Sequence, residues 1–196
     1  MRILSKVLAA AAFVAVSATT AHAVTFATAT VDYNQGAGIT DASRTITTNA
    51  VGATDGNFLS LGLGGSAVFS FGSAFTGPAA VIEVTNGIRS GHYETAMVWG
   101  GTGYDIGTDT LIGAVLLGTI NNTNSVATVA FNGIFSFLKI WDTSPVVAGR
   151  DGFDIDSISV AAVPLPAGIA LLGAGLAGLG AMGWRKKRSD RLAAKA

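Results

Sequence analysis

From residue 24 to residue 163 the apolar positions either alternate with small or polar ones or gather in short runs. Clusters of Gly, Asn and Asp separate the runs. Residues 67–71 show the alternation plainly: Ala67, Phe69 and Phe71 fall on one face, Val68 and Ser70 on the other. Strands are predicted at 24–31, 58–63, 67–71, 79–85, 95–99, 111–120, 125–131, 134–141 and 153–160, each rich in Val, Ile, Phe and Thr. No window here carries a 3.6-residue apolar stripe, and glycine interrupts most candidate helices. The pattern predicts an all-β, antiparallel sandwich or jelly-roll-like domain. In 153–160 the pairs Phe153/Ile155 and Ile158/Val160 are out of phase. A one-residue bulge near Asp156–Ser157 would turn all four to the core.

The two ends follow other patterns. Residues 165–184 are uncharged, and 20 residues at ~1.5 Å each are enough for a helix to cross roughly 30 Å of hydrocarbon. Arg185, Lys186, Lys187 and Arg188 follow, a basic stop that stays cytoplasmic in the tail 185–196. At the other end a positive hexapeptide, an apolar run and Ala21-His22-Ala23 make a signal peptide over 1–23, cut between Ala23 and Val24. Export through the Sec translocon and cleavage by signal peptidase are therefore expected, leaving an ectodomain over 24–162.

Charge sharpens this division. The stretch 24–163 carries four basic residues against eleven acidic ones, a net charge of −7, while both termini are basic. A domain of that sign does not suit nucleic acid. With no cysteine in the chain, disulfides, thiolate metal sites and cysteine nucleophiles are excluded, and stability must come from an apolar core.

Val163-Pro164-Leu165-Pro166-Ala167, then the Gly/Leu/Ala span, then Arg185–Arg188, resembles the VPLPA-CTERM variant of the PEP-CTERM sorting signal. Leu165 stands where that signal has a glutamate. The resemblance covers 163–196 and implies a Gram-negative bacterium and an exosortase as processing partner. It further implies an inner-membrane intermediate with a periplasmic ectodomain, and delivery to the cell surface or an exopolysaccharide or biofilm matrix. The two prolines favour an extended, accessible peptide at the membrane surface, the form a transpeptidase binds. Residues 59–66, 75–77, 81–85, 141–144 and 151–156 are similar to segments that recur in the ectodomains of such proteins. That similarity implies a sandwich and assigns no site.

Candidate chemistry in the ectodomain is sparse. Gly62-Leu63-Gly64-Gly65-Ser66-Ala67 imitates a dinucleotide-binding fingerprint, but a strand pattern follows it where a helix is required, so it reads as a turn. His92 is the one histidine left after signal removal, and no nucleophile elbow occurs. Glu83 and Glu94 are a formal glycosidase pair, read more simply as surface charges on strands. Asp142, Asp151, Asp154 and Asp156 are the hard-oxygen set that Ca²⁺ takes, against the simpler reading of a solvated acidic edge. Tyr93, Trp99, Tyr104 and Trp141 are candidates for stacking on sugar rings, against core packing. The reading is a non-catalytic structural or adhesive module at the cell surface, associated with exopolysaccharide; a secreted polysaccharide-acting enzyme is the alternative.

Overall fold

The computed structural model describes residues 23–83, 93–147 and 149–163, together with Gly173, Gly175 and Leu176, which are helical. Eleven strands make up most of it: β1 Val24–Phe26, β2 Ala29–Asn34, β3 Leu59–Ser60, β4 Ser66–Glu83, β5 Thr95–Gly101, β6 Gly103–Asp105, β7 Thr110–Ile112, β8 Val115–Asn121, β9 Val126–Val129, β10 Phe135–Asp142 and β11 Asp154–Ala162. Two single-turn 3-10 segments, Ala42–Thr45 and Thr47–Ala50, sit between β2 and β3. All the strand pairings are antiparallel.

One strand organises the rest. The first half of β4 pairs with β2 on one side and β10 on the other, and β10 leads on to β5 and β8. Its second half pairs with β11 and β9, and β11 carries β1 and β3 on its far flank. The change of partners falls around Gly72, whose φ of 73° is open to glycine and strained for other residues. Two layers therefore share a strand and a core. Phe69, Leu138, Val98 and Ile120 fill it from one layer; Ile155, Ile158, Val160 and Val81 fill it from the other. Complete burial of a side chain such as Phe69 contributes about 1.5–3 kcal/mol.

The two ends of the sandwich differ. Phe71, Phe75, Phe131 and Phe135 stack edge-on or tilted at the β4 bend, with neighbouring centroids 4.7–6.5 Å apart. Val24 pairs with Ala161 and Phe75 with Ala162, so both the start of β1 and the end of β11 reach this aromatic corner. At the opposite end the inward-facing positions are acidic. Glu83, Glu94, Asp142 and Asp154 are all buried there.

Where the boundaries differ from the sequence pattern, glycine and proline account for most of it. The expected strands 67–71 and 79–85 are joined in one bent β4, since Gly72 and Pro78 bend the strand without ending it. The expected strand 111–120 is split by Gly113, with φ 64°, into β7 and β8. The expected 24–31 is divided at Ala27–Thr28 into β1 and β2. The bulge in the last strand lies where the phase change requires it, between Ile155 and Ser157. The signal segment with Ala21, His92, the motif residues Pro164, Leu165, Pro166 and Ala167, and Arg185, Lys186, Lys187 and Arg188 lie outside the described residues. Among the described residues no helix is long and apolar enough to cross a membrane.

Candidate functional site

The layer β2–β4–β10–β5–β8 turns one face to the core and the other outward. In β10, Leu138 and Ile140 are buried while Phe137, Lys139 and Trp141 alternate with them. In β5, Ala96 and Val98 are buried while Met97 and Trp99 take the other face. The register then aligns two outward rows. Asp32, Val68, Lys139 and Trp99 are opposite one another in sequence across the sheet, and so are Asn34, Ser66, Trp141 and Met97. Trp99 and Trp141 are thus diagonal neighbours, about 7 Å apart at the backbone.

A hairpin missed by the sequence pattern closes over the first row. β6 and β7 pair through Tyr104 and Leu111, and Thr102 N donates to Ile112 O at 2.9 Å where the hairpin leaves the sheet. At its tip Asp109, in the left-handed region at φ 46°, accepts from Tyr104 Oη at 2.9 Å, Asn34 Nδ2 at 2.8 Å and Lys139 Nζ at 3.2 Å. Asn34 Nδ2 also donates to Asp32 Oδ2 at 3.0 Å. The bond from Tyr104, together with Lys139 and Asn34, holds the Asp109 carboxyl below the usual aspartate range. Burial, then Asp32 and Asp109, raises the Tyr104 hydroxyl far above its ordinary value, so it stays protonated and donates. The Tyr104 ring leans against Phe137 with centroids 6.4 Å apart.

The aromatic expectation can therefore be placed residue by residue. Trp99, Tyr104 and Trp141 come together on this face, and none belongs to the core. Trp141 is 45% exposed, and its indole is oriented by Nε1 donating to Gly64 O at 3.1 Å. Tyr93, 50% exposed, precedes β5 and lies apart from the pairings that build the face. Flat ring faces beside a bonded array of Asp, Asn and Lys can meet both the apolar faces and the hydroxyls of a sugar.

The acidic expectation comes out differently, because each aspartate is committed to its own protein partners. Asp142 accepts from Gly64 N, Ser144 N, Ser144 Oγ and Phe153 N at 2.5–3.3 Å. Asp156 accepts from Asp55 N and Gly56 N, both at 3.1 Å. Asp151 is ion-paired to Arg44. Asp154, fully buried, contacts Ser60 Oγ. These aspartates form no solvated edge, and among the described residues no group of three or more potential ligands is arranged to hold a metal ion. In Asp142 and Asp156, backbone N–H groups have used the oxygens that calcium would need. Glu83 and Glu94, 1% and 2% exposed, are not the surface charges that the sequence suggested.

A concavity of about 400 Å³ opens beside the 3-10 segments. Arg44 stands over the Phe58 ring, 5.3 Å from its centroid, and Asp41, Asn49 and Asn57 complete the rim. Asp41 caps the first segment by accepting from Ser43 N at 2.9 Å, which lowers its carboxyl pKa. The strand-based pattern has no signal for this cleft, whose residues are polar and irregular.

Taken together, the fold and the face define an all-β sandwich that displays aromatic side chains on one sheet. No family model and no curated protein matches the chain. Among solved structures it is similar to a chain described as truncated AlyQ with CBM32 and alginate lyase domains, at 13% identity and TM-score 0.48. That similarity covers 74% of this chain and 35% of the other, so this protein matches about a third of that chain's length.

Proposed function

We propose that the protein is an exported, exosortase-sorted surface module that holds polysaccharide on the outer face of the β10–β5 layer, without catalysing its cleavage. The observation that carries this reading is the outward placement of Trp99, Tyr104 and Trp141 around the Lys139–Asp109–Asn34 array. Trp141 is exposed while Trp99 and Tyr104 are half-buried beside it, and aromatic rings left partly open beside an ordered polar network suit a recognition surface. Polysaccharide would lie along the second row beside the hairpin, a ring face on the Trp141 indole and its hydroxyls toward Asp109, Asn34 and Lys139.

The aromatic corner supplies the attachment. β11 ends at Ala162, one residue before the Val163-Pro164 motif, so the sandwich would stand directly on the sorting signal with almost no stalk. The acidic end would then be the remote one, about 25 Å away along β11.

Two measurements test the two halves of the proposal. Retardation of the purified protein in gels containing surface polysaccharides should be strong for the native chain and at least about tenfold weaker for Trp99→Ala and Trp141→Ala. Equal retardation of native and variant chains would remove the face from consideration, and release of new reducing ends would establish the enzyme alternative. Intact-mass analysis of protein from its own cell surface should show a chain ending near Pro164–Ala167. Retention of Arg185–Arg188 would make the terminal segment a plain anchor.

A further inference from the structure

The acidic end sets one serine hydroxyl between two acceptors. Ser60 Oγ lies 3.0 Å from the Asp151 carbonyl oxygen and is also in contact with Asp154 Oδ1. A serine hydroxyl has one hydrogen and can donate to one acceptor. Both contacts are satisfied together when Asp154 is protonated, its carboxyl donating to Ser60 Oγ and Ser60 donating to the Asp151 carbonyl. The other carboxyl oxygen agrees with this assignment. Asp154 Oδ2 is buried and has no hydrogen-bond partner among the described residues, a position much costlier for a charged oxygen than for a neutral one.

The same three residues connect to the cleft. The Asp151 side chain holds Arg44, and Arg44 lines the concavity with Phe58. We propose that Asp154, Ser60 and Asp151 form a proton-loaded latch that fastens the Arg44 segment across the acidic end, and that loss of the Asp154 proton releases it. The chemistry is local. An ionised Asp154 leaves Ser60 with two acceptors for one hydrogen and faces the carboxylates of Asp151, in the preceding turn, and Glu94, ahead of β5. It also competes with Asp151 for Arg44, the cation on the facing 3-10 segment. From β2, Tyr33 Oη donates to Ser60 O at 2.7 Å, and its hydroxyl is pushed up to about 12, mainly by burial and further by Asp154.

The transition falls in an accessible range. Burial pushes the Asp154 carboxyl up to about 7; Asp151 and Glu94 add to the rise, and Ser60 and Arg44 oppose it. The group is raised in the folded state, so the folded chain binds the proton more tightly than the unfolded one. Its contribution to stability is complete below the ordinary value of 3.8 and is lost as pH rises through about 7. This latch does not depend on the polysaccharide reading of the opposite sheet face.

Amide exchange of the purified full-length chain tests it, followed over residues 41–45 and 58–61 at about pH 5 and about pH 8, with intrinsic rates divided out. Protection there should fall at least about tenfold at the higher pH. Asp154→Asn replaces the neutral carboxyl by a neutral carboxamide that can still donate to Ser60, so its protection should be equal at the two pH values. Infrared difference spectra between the same conditions should show a protonated carboxyl band in the native chain that Asp154→Asn lacks. A native chain with pH-independent protection or no such band would overturn the latch. So would Asp154→Asn that kept the pH response, or that failed to fold, since a neutral substitute fits a site that is neutral in the native state.

Discussion

At the scale of single residues, burial and exposure separate two kinds of polar and aromatic group. Trp99 and Trp141 face outward, so truncating either should cost little folding stability while weakening polysaccharide retention. Thermal midpoints of Trp99→Ala and Trp141→Ala within a few degrees of native would confirm that separation. Asp142 is the opposite case. Its carboxylate serves the N–H groups of Gly64 and Phe153 and the hydroxyl of Ser144, bridging the turn before β4 to the start of β11. Asp142→Ala leaves buried donors without acceptors and should lower unfolding stability by about 3 kcal/mol, measured by urea titration. The sequence marks both residues by type, and neither by direction. An aspartate at an inward strand position looks the same in sequence as one at an outward position until the register is known. The four aspartates of the expected calcium group are not gathered as one ligand set among the described residues: Asp142 and Asp156 accept from backbone amides, Asp151 pairs with Arg44 and Asp154 contacts Ser60.

At the scale of elements, the period-2 pattern identified most of the strands and located the bulge in β11. Its errors cluster at glycine, because a glycine in the left-handed region can end a strand, as at Gly113, or only bend it, as at Gly72. The β6–β7 hairpin was invisible because residues 103–112 are mostly Gly, Thr and Asp and pack over a face, so no apolar alternation marks them. The turn around Gly62–Gly65 was legible as a turn. The reason for so much glycine there was not, since it depends on the loop after β2, which arrives from elsewhere in the chain. Gly62 has φ 77°, and a Cβ there would sit 2.6 Å from the backbone of Gly36. Gly62→Ala should therefore destabilise by about 2 kcal/mol or more, with the loss visible as a lower urea midpoint at unchanged slope.

At the scale of the whole molecule, the described strands bury one core from two layers, which predicts that residues 24–163 fold without the terminal segment. Far-UV circular dichroism of that fragment should show a β spectrum with marginal helix, and cooperative melting should accompany it. A predominantly helical or non-cooperative fragment would mean that the core needs the rest of the chain. The position of β11 has one more consequence. It pairs with β4 at seven registered positions from Ile155 to Ala162, and its hydrogen bonds lie across the strand direction. If the sandwich is tethered through residue 162 while its outer face grips a matrix, drag pulls β11 lengthwise. The bonds to β4 then stretch together instead of opening one after another. A module hung in this way resists flow as a shear joint does, and its weakest line under load need not be the one that melts first when it is heated.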